Sequence, residues 1–75
     1  MSSEYPYQNL ANAIVLTAAE DYRDALKILK RNPYDRDAAA ECNSIKRFFR
    51  SEWFAVLTDL DPEELIAELN REILG

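Results

Sequence analysis

The 75-residue chain has no histidine, one cysteine (Cys42), one glycine (Gly75), one tryptophan (Trp53) and three prolines. Each shortage excludes something. A single cysteine cannot close an internal disulfide, and without histidine the usual zinc and iron–sulfur ligand sets cannot be assembled. So little Gly and Pro leaves too few turns for a β-sandwich or barrel. The longest near-apolar run, Ala13–Ala19, holds seven residues including Thr17, against the roughly 20 that span a bilayer. Ser2, Ser3 and Glu4 are polar, so the chain does not open on a leader pattern. The expectation is a soluble, cytoplasmic chain with no metal, no cofactor and no membrane segment.

What is present points to helix. Apolar residues make up 48% of the chain, a globular proportion, and ten alanines accompany abundant Leu, Glu, Arg and Lys, all good helix formers. The expected fold is all-α, one small domain of three main helices and a short connecting one. A chain of this size buries only about 60% of the surface it exposes when unfolded, which leaves little room for an enclosed active site.

The net charge of −5 is unevenly spread. Residues 1–32 carry four acids and four bases, and residues 33–50 three acids and four bases. Residues 51–75 carry seven acids against Arg71 alone. An acidic end argues against a general nucleic-acid binder, because phosphate contacts need Lys and Arg.

Periodicity divides the chain. Residues 1–5 have no pattern and are expected to fray. Over 6–31, Tyr7, Ala11, Ile14, Val15, Ala18, Tyr22, Ala25, Leu26 and Leu29 recur at three- and four-residue spacing, one buried helical stripe. Pro6 suits the first turn and Lys27, Lys30 and Arg31 the last. Asn32-Pro33 ends the helix, because the residue before proline is driven out of helical geometry. Ala13–Ala19 is apolar on nearly every side, so this helix should lie centrally or meet a second chain. A second helix over 35–50 opens on Asp35 as N-cap, returns antiparallel, and buries Ala38, Cys42, Ile45 and Phe49. A final helix over 62–74 has Asp61 as N-cap, Pro62 first, Glu64 closing a capping box and Leu60 stapling onto Leu65. Its apolar face is Leu65, Ile66, Leu69, Ile73 and Leu74.

Between them stands Phe48-Phe49-Arg50-Ser51-Glu52-Trp53-Phe54, which holds the tryptophan and all three phenylalanines. If helix 2 ran on, Phe54 would lie about 140° from the Phe49 face, beside Arg47 and Arg50. A break at Ser51, a competent N-cap, and a short helix over 52–57 avoid this. The expected core is Phe49, Trp53, Phe54, Ile45, Leu57, Leu65, Leu69, Ile14, Ala18 and Tyr22. Phe48 is left with no inward direction.

Four groups of residues bear on chemistry. Lys46, Arg47 and Arg50 with Phe48 combine cations and an aromatic as single-strand binders do, although cations at a helix C-terminus are stabilising in any case. A helix-turn-helix reader fits less well, since helix 2 begins with Asp35, Asp37 and alanines. Asp59, Asp61, Glu63 and Glu64 lack the spacing and mid-loop Gly of a calcium loop, and helix capping explains them. Cys42 lies in the buried stripe with no histidine to stabilise a thiolate, so it reads as packing. No nucleophile–base pair can be assembled. The stretch from Tyr22 to Pro33 resembles a tetratricopeptide junction, but residues 51–75 do not repeat it.

Over most of the chain, and chiefly in RFFRSEWFAVLTDLDPEELI, the sequence resembles a family of short uncharacterised proteins encoded in prophages and integrative elements of Gram-positive (Firmicutes) bacteria. Tyr22, the Ala-rich start of helix 2, Phe48–Ser51, Trp53-Phe54, and Leu57-Thr58-Asp59 leading to Leu65-Ile66 carry the likeness. These are core, break and cap residues. The resemblance implies a mobile-element origin and no catalytic set. The functional expectation is a non-enzymatic accessory protein acting through protein–protein contact, with another protein or a second copy as a homodimer, across Phe48, Arg47, Arg50 and Lys46. The alternative is a single-stranded nucleic-acid binder using the same patch.

Overall fold

A computed structural model describes residues 6–75, with side chains from Asn9 onward. The expected fraying of residues 1–5 and the inward place of Tyr7 lie outside the described residues. The described chain is four helices: α1 Pro6–Arg31, α2 Arg36–Phe49, α3 Glu52–Leu57 and α4 Pro62–Leu74. No strand occurs among the described residues, so the fold is a small all-α bundle of three main helices and one short connecting helix.

Local chemistry sets the boundaries. The α1–α2 turn closes through Asp35 N–H donating to the Asn32 carbonyl at 3.1 Å. The Asp35 carboxylate then accepts from Ala38 N–H at 2.9 Å, so Asp35 caps α2 from outside its first turn. Ser51 makes the break. Its hydroxyl donates to the Phe48 carbonyl at 2.6 Å and accepts from Phe54 N–H at 3.2 Å, tying the end of α2 to the start of α3. The Asp61 carboxylate accepts from the N–H groups of Glu63 and Glu64 at 2.9 and 3.3 Å, with Pro62 at the first helical position. The Asp61 carboxylate therefore supplies the α4 cap, while Leu60, the expected staple, stays 52% exposed.

α1 is the central element and packs against α2, α3 and α4. α2 returns antiparallel to it. α4 runs in the same sense as α1, with Tyr22 meeting Asn70 and the Lys30 ammonium meeting the Ile73 carbonyl at 2.9 Å. At 1.5 Å per residue, the 26 residues of α1 extend about 39 Å and the 14 and 13 residues of α2 and α4 only about 20 Å. The long helix accounts for the elongated shape, 45 × 24 × 21 Å.

The core is aromatic at its centre. Tyr22, Phe49 and Phe54 are almost wholly buried. Phe49 stands edge-on to both neighbours, its ring centroid 6.0 Å from Tyr22 and 5.3 Å from Phe54. Val15, Ala19, Ala25, Leu26, Cys42, Ile45, Ile66 and Leu69 surround them, and Ala18, Leu29, Phe48, Leu57, Leu65 and Ile73 pack on the edge.

Three expectations are corrected. Trp53 is not core: it is 59% exposed. Once the chain breaks at Ser51, α3 takes its own rotation, and adjacent residues on one turn point about 100° apart. Phe54 occupies the inward direction and Trp53 is turned out. Ile14 is only half-buried and outside the central cluster, because it stands at the edge of the α1–α2 contact, where it borders an open groove with Ile45 and Phe48. Leu16 points away from the face that buries Val15 and Ala19 and is 61% exposed, so Ala13–Ala19 is covered on one side only. Phe48 does have an inward direction, since α3 folds back over it: its ring lies 6.0 Å from Phe49 and 5.7 Å, edge-on, from Phe54.

Candidate functional site

Of the expected surface of Lys46, Arg47, Phe48 and Arg50, the three cations come together and Phe48 does not join them. Phe48 is half-buried in the aromatic cluster. The Arg50 guanidinium forms a bidentate pair with Glu63, Nε to Oε2 at 2.7 Å and Nη2 to Oε1 at 2.9 Å. Hydrogen bonding and charge in that pair hold the Glu63 carboxyl below its ordinary range and raise the guanidinium further. Lys46, Arg47 and Arg50, with Asn43 and Ser51, line one shallow polar depression. Of the three cations, Lys46 and Arg47 have no ion-pair partner among the described residues.

Among the described residues, the buried thiol and phenol are both held toward their neutral forms. Burial pushes the Cys42 thiol up, against a smaller opposing effect of Lys46, so the thiolate form is disfavoured. Burial also raises the Tyr22 hydroxyl, with the Cys42 charge adding to it. The Tyr22 hydroxyl donates to Asn70 Oδ1 at 2.8 Å, and among the described residues no buried side-chain polar atom lacks a partner. Nor do three or more Cys, Asp or Glu side chains come together as a metal cluster among the described residues.

A depression of about 460 Å³ between α1 and the start of α2 is edged by the acids Asp21, Asp24, Asp35, Asp37 and Glu41, and two apolar surface features lie elsewhere. The first is an apolar groove of about 430 Å³ between α1 and α2, walled by Ala13, Ile14, Ala18, Ile45 and Phe48 and edged by Thr17, Asp21 and Ser44. The second is the outer face of α3. Phe54 fixes that helix inward, so Trp53 and Val56, one turn apart, face out at 59% and 76% exposure, and Leu60 follows just beyond the helix end. Beside it a depression of about 410 Å³ at the α3–α4 corner is lined by Phe49, Arg50, Ser51, Glu52, Phe54, Ala55, Thr58, Asp59, Leu60 and Pro62.

Sequence reasoning missed this second face because it carried the α2 wheel across Ser51. The signal was available: with Phe54 placed inward on a helix restarted at Ser51, its neighbour Trp53 has to turn away. No protein-family model matches the chain, and neither curated proteins nor solved structures include one detectably similar to it.

Proposed function

We propose that this chain is a non-enzymatic accessory protein of a phage or integrative element, working in the cytoplasm through contact with another protein. The contact surface in this reading is the outward face of α3. The observation that carries it is the exposure of Trp53 beside Val56, on a helix whose inner face is already filled by Phe54. Tryptophan is the residue most enriched among the few that dominate interface binding energy. Adjacent exposed apolar side chains on a small protein mark a place where a partner sits. The mobile-element part rests on the likeness of the segment around Phe48–Ile66 to prophage-encoded proteins. No described helix is long and apolar enough to cross a membrane, which is compatible with that setting.

The rival reading, single-stranded nucleic-acid binding, has less support. Two of its four residues are engaged elsewhere, Arg50 with Glu63 and Phe48 with the core.

The test is site-specific photo-crosslinking in host cells carrying the element. A photoreactive residue at position 53 should give a discrete protein adduct, and one at the exposed position Lys27 should not. Equal adducts at both positions, or none at position 53, would sink the reading. The mobile-element assignment is checked separately by the genes that flank this one.

A further inference from the structure

The charges around α3 say what kind of partner fits. Of the seven acids in residues 51–75, Glu63 is paired with Arg50, Glu68 with Arg71 and Glu72 with Arg23. The four with no ion-pair partner among the described residues are Glu52, Asp59, Asp61 and Glu64. Glu52 and Asp59 flank Trp53 and Val56 in the sequence, whereas Asp61 caps α4 and Glu64 lies in its first turn. Glu52 and Val56, four residues apart, share one side of α3, and Asp59 follows beyond the extended cap at Thr58. Glu52, Asp59 and Leu60 also border the corner depression. The exposed apolar face is therefore flanked by the unpaired carboxylates of Glu52 and Asp59.

We infer that the outward face of α3 receives a cationic amphipathic segment of a different protein, with an apolar side chain on Trp53 and Val56 and Lys or Arg against Glu52 and Asp59. This rests on the protein-contact reading and adds the chemistry of the partner. Complementary potentials set specificity and association rate, while the apolar centre supplies most of the affinity. The same acids repel nucleic-acid phosphate and anionic lipid. A second copy fits less well. Its exposed Leu10 and Leu16 lie in a stretch, residues 5–19, with no charge at all. Its exposed Ile28 lines a depression with Asp21, Asp24, Asp35, Asp37 and Glu41, on a different part of the molecule. Joining that surface to α3 would set acid against acid across a heterologous contact.

The experiment is selection of a displayed random-peptide library on the full protein, with the Trp53→Ser variant as counter-selection. All substituted positions are exposed, and circular dichroism confirms that each variant keeps its helices. Peptides that depend on Trp53 should be enriched in Lys and Arg relative to the starting library. They should bind a Glu52→Gln/Asp59→Asn variant about tenfold more weakly. Trp53-dependent peptides with no cationic excess, or undiminished binding to the double variant, would overturn the partner chemistry and leave the contact reading standing. Failure to recover any Trp53-dependent peptide would overturn both. If Trp53→Ser converts a sedimenting dimer of the isolated protein to monomer, the occupant is a second copy and the inference fails.

Discussion

At the scale of single residues, the two largest aromatic positions of the central segment have opposite roles. Phe49 is fully buried between Tyr22 and Phe54. Phe49→Ala should cost about 3–5 kcal/mol, a large fraction of the stability of a domain this small. Trp53→Ala should shift stability by no more than about 0.5 kcal/mol. Urea denaturation followed by far-ultraviolet circular dichroism separates the two, and a large loss from Trp53→Ala would mean that the indole packs. Tyr22 and Cys42 both have folded-state pKa values raised above their ordinary ones. A group whose proton is held more tightly in the folded protein contributes stability fully below its unfolded pKa, and that contribution is lost as pH rises through the folded one. Stability should therefore fall above about pH 9–10, where unperturbed thiols and phenols ionise. Denaturation midpoints across that range should decline less in a Cys42→Ala variant.

At the scale of elements, the Ser51 hydroxyl ends one helix and begins another, through hydrogen bonds to Phe48 and Phe54. Ser51→Ala should cost about 1 kcal/mol, the usual worth of an N-cap, while Ser51→Asp should keep the cap and recover most of that loss. Equal destabilisation by both, measured by denaturant melts, would show that the cap bond is not what holds α3. The break itself was legible in the sequence, from the impossibility of leaving Phe54 among arginines. The orientation of α3 after the break was not, because helical phase cannot be carried across a cap. This is why Trp53 was expected inside and Phe48 outside. The ends of α1, α2 and α4 were legible because Pro33, Asp35, Asp61 and Pro62 act within a few residues of themselves.

At the scale of the whole molecule, long-range pairings were the least legible part. Arg23 and Glu72 lie 49 residues apart and meet at 3.1 Å, and no local pattern announces such a pair. Both side chains are substantially exposed, so a double-mutant cycle on Arg23→Ala and Glu72→Ala should give a coupling of at most about 1 kcal/mol, reduced further by salt. The edges of the α1 contact were equally hidden. Periodicity marks its buried stripe, but whether Ile14 is covered depends on how closely α2 and α4 sit around it. With one core built mainly from neighbouring helices, the chain should unfold in a single transition and refold within milliseconds.

The outward position of Trp53 also makes it an optical reporter of an unusual kind. It is the sole indole of the chain and already stands mostly in water in the native state, so its emission should be red-shifted before denaturant is added and should change little on unfolding. A partner that covers α3 would move the indole into a drier environment and shift its emission to the blue. In this protein intrinsic fluorescence should be a poor gauge of folding and a direct gauge of docking.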